Sequence, residues 1–121
     1  MSKCFIKKID IPIYFGYLVI IVVEDYKDVP KKYSIEFKDG YSAYCLFKSI
    51  NGIAHNVIIL NKISHSIIAH EASHITSGIL MHAGVNADFN NDEPYAYMIG
   101  WVVDTIYKSL KIKEIEYEYG K

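Results

Sequence analysis

The chain has 121 residues, a formal net charge of −1 at pH 7 and an apolar fraction of 51%, which together favour one globular domain over residues 1–121. The near-neutral charge argues against a nucleic-acid-binding protein. Cys4 and Cys45 have no metal-binding spacing and are too few for a disulfide framework, so we expect a reducing cytoplasm.

A β-hairpin is predicted at the start of the chain. Residues 5–11 and 17–24 are rich in β-branched and aromatic side chains and flank a turn that contains Pro12 and Gly16. The uncharged run over residues 11–23 is 13 residues long, whereas a membrane-spanning helix needs roughly 20. We therefore expect a buried strand here, with no signal peptide and no membrane partner.

Three further strands are predicted over residues 33–37, 41–50 and 53–60. They are separated by the dipeptides Asp39-Gly40 and Asn51-Gly52, which are strong signals for tight hairpins. The sequence thus predicts a mostly antiparallel sheet.

The hydrophobic pattern becomes helical over residues 64–81 and stops near Gly84. One side of this helix is an apolar stripe formed by Ile68, Ala72, Ile75 and Ile79. His70 and His74 fall nearly opposite that stripe at 100° per residue. We expect the apolar side to pack on the sheet and the histidine side to pack on the next helix.

The stretch His70-Glu71-Ala72-Ser73-His74 reads His-Glu-x-x-His and has no other charged residue near it in residues 63–84. Two histidines one helical turn apart can bind one Zn²⁺ ion, and the glutamate between them then faces a metal-bound water. The spacing predicts a zinc hydrolase in which Glu71 is the general base.

A second helix is predicted after the potential caps at residues 90–92, with Pro94 in its first turn. Its expected core stripe is Ala96, Ile99, Val103, Ile106 and Leu110. A second line, formed by Glu93, Tyr97, Gly100 and Asp104, is more polar and is expected to face the histidines. Residues 112–119 alternate charged and apolar side chains and predict an edge strand or a loosely packed terminus.

Catalytic zinc has three protein ligands and one open position. Glu93 is the predicted third ligand because it opens the second helix, 19 residues after the second histidine. Asp88 and Asp92 are the competing choices, and His65 and His82 share the ligand face less well.

Two residues of the second helix have predicted supporting roles. Tyr97 would donate a hydrogen bond to the oxyanion, although a tyrosine packed in the core is an equal interpretation. Asp104 would accept a hydrogen bond from the free ring nitrogen of a ligand histidine, with a solvated or capping aspartate as the alternative.

The His-Glu-x-x-His motif followed by Glu93-x-x-Ala96 at a helix start resembles the gluzincin-type zincin metallopeptidases. It is also similar to small proteins of phages and mobile elements, including the ImmA/IrrE-like group. The resemblance implies a minimal zincin-like α+β domain with the motif on the first helix, in a bacterial or phage-infected cytoplasm. It also implies that strand 53–60 is an edge that aligns a peptide substrate by β-augmentation.

Three hypotheses follow from these observations. The first is a zinc-dependent metallopeptidase that cleaves one specific cytosolic protein, with Glu71 acting on a zinc-bound water. The second is a non-enzymatic interaction protein, such as a phage-encoded inhibitor, in which zinc is a structural link. The third is a metal-free α+β domain whose histidines bond to serine and tyrosine hydroxyls.

Overall fold

The computed structural model describes residues 4–112. Four strands and two helices follow one another along the chain: β1 (Cys4–Asp10), β2 (Tyr17–Val23), β3 (Ala43–Ile50), β4 (Ile53–Leu60), α1 (His65–His82) and α2 (Glu93–Ser109). Two short 3₁₀ segments, Tyr26–Asp28 and Lys31–Tyr33, lie between β2 and β3. This is the α+β class that the sequence predicts. The predicted terminal strand lies outside the described residues, apart from Ile112.

The four strands form one sheet in the order β1-β2-β4-β3. The β1–β2 and β3–β4 pairings are antiparallel, and the central β2–β4 pairing is parallel. The expectation of a mostly antiparallel sheet is therefore confirmed. The expectation that residues 53–60 form an edge is wrong, because β4 pairs on both sides. Within residues 4–112 the edges are β1 and β3.

The predicted hairpin at Asn51-Gly52 is present and joins β3 to β4. Both turn residues have positive φ, 53° and 79°, as a tight turn matched to the sheet twist requires. The predicted strand over residues 33–37 is wrong, because the chain there leaves a 3₁₀ turn and continues without strand pairing. Tyr33 instead packs its ring under the sheet at 1% exposure.

The two central strands, β2 and β4, are buried on both faces, which explains their nearly continuous apolar sequence. One face packs on the helices and carries Leu18, Ile20, Ile58 and Leu60. The opposite face packs on the 3₁₀ region and carries Val19, Ile21, Val23, Val57 and Ile59. The helices therefore cover one face of the sheet, and the 3₁₀ region covers the other.

Helix α1 begins where the Ser64 side chain accepts a hydrogen bond from the Ile67 amide at 3.1 Å, a standard N-cap. The apolar stripe predicted for this helix is buried, as expected: Ile68, Ala72, Ile75 and Ile79. Its C-terminal turn is followed by Gly84 at φ 75°, a conformation that favours glycine.

Helix α2 buries a different stripe from the predicted one. The buried residues are Met98, Val102, Ile106 and Ser109, so only Ile106 is common to both sets. Because α2 is apolar over much of its circumference, residues at the predicted positions Ile99, Val103 and Leu110 lie on the flanks of the interface. The polar line of α2 is correspondingly turned away from α1.

The two helices pack antiparallel to each other. Near one end the Ser73 and Tyr95 hydroxyls are 2.7 Å apart, and near the other a ring nitrogen of His65 is hydrogen-bonded to the Tyr107 hydroxyl. None of the helices within residues 4–112 is long and apolar enough to cross a membrane.

Candidate metal site and cleft

His70 and His74 project from one side of α1 with their rings close together. Their Nε2 atoms are 3.2 Å apart, and the ring planes are inclined by 72°. Two nitrogen ligands of a tetrahedral zinc site, each at roughly 2.0–2.1 Å from the metal, would be about 3.3–3.4 Å apart. The pair therefore has the spacing that two ligands of one metal ion need.

The side chain of Glu71 lies beneath the histidine pair and is only 12% exposed. One carboxylate oxygen, Oε1, accepts a hydrogen bond from the Cys45 thiol at 3.1 Å. The other, Oε2, lies 3.9 Å from His70 Nε2. Because Glu71 is rotated by 100° from His70 around the helix, its carboxylate points between α1 and β3 while His70 faces solvent.

Cys45 is the residue of this site that the sequence did not reveal. Burial, the hydrogen bond to Glu71 and the negative charge of that carboxylate all raise the pKa of the Cys45 thiol. The group is therefore a protonated donor at neutral pH. The sequence feature that could have indicated Cys45 is the alternation of side chains along a strand, which places Ala43, Cys45 and Phe47 on one face of β3.

A cleft of about 510 Å³ separates α1 from the β3 side of the sheet. The helix side of the cleft includes His70, Glu71, His74, Gly78, Met81 and His82, and the sheet side includes Tyr41, Tyr44, Cys45 and Phe47. At one end the His82 ring stacks on Phe47 with 3.7 Å between centroids. The paired histidines and the partly buried carboxylate thus open into a space that can hold a ligand.

The structure does not bring the predicted third ligands to this cleft. Glu93, Asp88 and Asp92 are exposed and are not among its lining residues. Asp88 accepts a hydrogen bond from the Asn90 amide at 2.9 Å, within the turn before α2. Within residues 4–112 there is no group of three His, Cys, Asp or Glu side chains arranged to hold a metal.

The polar line of α2 lies away from the histidines. Tyr97 is 52% exposed, and Asp104 Oδ2 is 2.8 Å from Lys108 Nζ one turn further along the helix. The expectation that the histidine side of α1 packs on α2 is wrong, since the His70 side chain is 67% exposed. Helix α2 contacts α1 through its Met98, Val102 and Ile106 stripe instead.

The weaker ligand candidates have other partners. The ring of His65 stacks on that of Tyr107. The Nδ1 atom of His82 is 2.7 Å from the Gly78 carbonyl oxygen, so Nδ1 donates a hydrogen bond to that oxygen. Neither histidine joins the pair at residues 70 and 74.

Comparison of the chain with protein-family models, with curated proteins and with solved structures gave no match.

Proposed function

We propose that the protein is a zinc-dependent metallopeptidase that hydrolyses a peptide bond in a specific cytosolic protein. The observation that carries the proposal is the 3.2 Å separation of the His70 and His74 Nε2 atoms beside the partly buried carboxylate of Glu71. A helix that presents two imidazoles at this spacing, with a carboxylate oxygen 3.9 Å from Nε2 of His70, has the parts of a hydrolytic zinc site.

The Nε2 atoms of His70 and His74 would hold the metal. The predicted third ligand, Glu93, is exposed on α2 and does not line the cleft. Zinc, when bound, supplies a Lewis acid that acidifies water and polarises a carbonyl oxygen. Glu71 would take a proton from the attacking water through Oε2 and deliver it to the leaving amine. The low exposure of Glu71 limits competition from bulk water for that oxygen.

The substrate would lie along β3 in an extended conformation. Strand β3 is an edge of the sheet within residues 4–112 and forms one side of the cleft. Edge strands can pair with an extended peptide through main-chain hydrogen bonds. A substrate segment bound in this way would pass close to the histidine pair. The β-augmentation proposed for residues 53–60 is therefore reassigned to β3.

Glu71→Gln tests the proposal, because the substitution keeps the shape of the side chain and removes its basicity. We expect about one zinc per chain by elemental analysis, together with a fall in cleavage of a quenched fluorogenic peptide library of about 100-fold or more. His74→Ala should lose both zinc and cleavage. Unchanged cleavage by Glu71→Gln would reject the proposed mechanism.

A second candidate is a non-enzymatic protein in which zinc stabilises an interaction. The exposure of the His70 side chain favours it, because a partner protein could approach the pair and complete the metal coordination. In that case Glu71→Gln would leave partner binding unchanged and His74→Ala would abolish it.

A further inference from the structure

A thiol on the sheet and a carboxylate on the helix meet at the floor of the cleft. Cys45 Sγ is 3.1 Å from Glu71 Oε1 and 3.4 Å from the Glu71 carbonyl oxygen. We propose that Cys45 is a positioning residue that fixes the orientation of the Glu71 carboxylate for its role as general base. This inference depends on the proposed function and adds a residue to it.

Only one of the two carboxylate oxygens of Glu71 accepts a hydrogen bond from the thiol. This asymmetry allows Cys45 to fix the orientation of the carboxylate. A carboxylate can exchange its two oxygens by rotation about the last side-chain bond, which is a soft torsion. The Cys45 thiol has a single proton, and of its two acceptors Oε1 at 3.1 Å is closer than the Glu71 carbonyl oxygen at 3.4 Å. With Oε1 taken as the acceptor, Oε2 is the oxygen left near His70 at 3.9 Å. The thiol thus distinguishes the two oxygens and turns one of them toward the metal-ligand pair.

A neutral thiol suits this task better than a cation would. Lysine or arginine in the place of Cys45 would pair with the carboxylate and make it a weaker base. A thiol is a weak donor without charge, so it restrains the carboxylate without placing a positive charge beside it. The raised pKa of Cys45 keeps the proton on sulfur at neutral pH.

The donor is also held on a rigid element. Cys45 pairs with Ile58 in the antiparallel β3–β4 ladder, and Ile58 has 0% exposure in the helix-side core. Helix α1 packs on the same core through Ile68, Ala72 and Ile75. Since both partners belong to packed elements, their separation does not depend on a loop.

Infrared spectroscopy of the S–H stretch tests the hydrogen bond itself without any change at Cys45. In a Cys4→Ser background the remaining S–H band belongs to Cys45. We expect this band to shift to higher frequency in Glu71→Gln, because a neutral amide is a weaker acceptor than a carboxylate. Glu36→Gln is the matched control, because Glu36 is exposed and does not line the cleft, and it should leave the band unchanged. A band that does not respond to Glu71→Gln overturns the proposal.

Kinetics of the zinc-loaded protein on the fluorogenic peptide library test the consequence. Cys45→Ala should lower kcat roughly tenfold with little change in KM, because the base loses its orientation but substrate contacts remain. Cys45→Ser supplies a hydroxyl donor and should restore most of the activity. Cys4→Ala is the control and should behave as wild type, and zinc content should be equal in all variants.

The outcomes separate this inference from the proposed function. Wild-type kcat in Cys45→Ala, with Glu71→Gln inactive, overturns the role of Cys45 and leaves the peptidase proposal standing. Equal losses in Cys45→Ala and Cys45→Ser also overturn it, because they indicate a packing role. Absence of any cleavage by the wild-type protein overturns the peptidase proposal, and the positioning role with it.

Discussion

At the scale of single residues, the histidines occupy contrasting environments. His70 and His74 lie on an open face of α1, whereas His55 on β4 is 5% exposed and its Nδ1 is 2.8 Å from the Tyr33 hydroxyl. Burial lowers the pKa of His55, and the positive charges of Lys8 and Lys32 lower it further. The same residue type therefore offers an accessible ligand in one place and a neutral structural hydrogen bond in another.

The buried His55 predicts a loss of stability in acid. Its pKa in the folded protein is below the ordinary value of 6.5, so the unfolded chain takes up the proton first as the pH falls. The stability that neutral His55 contributes is complete above about pH 6.5 and declines as the pH falls from there toward the lower folded value. Urea unfolding at about pH 7.5 and about pH 5 measures the difference.

Two variants identify the source of that acid sensitivity. His55→Asn removes the titrating ring and can keep a polar contact to Tyr33, so the stability difference between the two pH values should shrink. His82→Asn removes an exposed histidine and leaves His55 in place, so it should retain the wild-type difference. An undiminished difference in His55→Asn would contradict the assignment.

At the scale of elements, the turn between β1 and β2 contains the glycine that, among those of residues 4–112, lies closest to the backbone of another element. Gly16 has φ 110°, and a Cβ placed on it would lie 2.7 Å from the Ala54 carbonyl oxygen. Any side chain at this position would therefore meet both backbone strain and a clash with β4.

Gly16→Ala should lower the free energy of unfolding by about 2 kcal/mol or more, because of that strain and clash. Gly100→Ala is the matched control. Gly100 lies within α2 with open space around its Cβ position, so its replacement should raise stability by about 0.5–1 kcal/mol. Denaturant titration of both variants measures the two effects, and equal effects would contradict the structural distinction.

Sequence reasoning succeeded for elements whose signal is local. The Asn51-Gly52 hairpin and the apolar stripe of α1 depend on nearby residues, and both are present. It failed where partners elsewhere decide the outcome. Helix α2 has apolar residues on several sides, so only packing against α1 selects Met98 and Val102 for burial. The parallel β2–β4 pairing likewise joins segments that are distant in sequence.

The same distinction between local and distant determinants applies to the residues of the candidate site. The spacing of His70 and His74 is set within one helical turn, so the pattern alone predicted their approach. The position of Glu93 relative to the histidines depends on the path of the segment between the helices and on the rotation of α2. Local periodicity determines neither of these. Cys45 reaches Glu71 only through the packing of β3 against α1.

At the scale of the whole molecule, the fold has cores that do not include the histidine pair. The helix-side core and the opposite core together use both faces of β2 and β4, while the His70 side chain is 67% exposed. Structural zinc sites that maintain a fold usually substitute for a missing core. Here the apolar packing on both faces of the sheet is the main stabilising contribution.

Removal of the proposed zinc ion should therefore leave the fold intact. After chelation we expect unchanged far-ultraviolet circular dichroism and a cooperative thermal transition with a lower Tm. The metal would then contribute only by mass action, about 2.7 kcal/mol at a free concentration one hundred times its Kd. The double variant His70→Ala, His74→Ala should show the chelated Tm with or without zinc. Loss of the helical signal on chelation would contradict this expectation and favour zinc as a structural link, because the metal would then be holding the structure together.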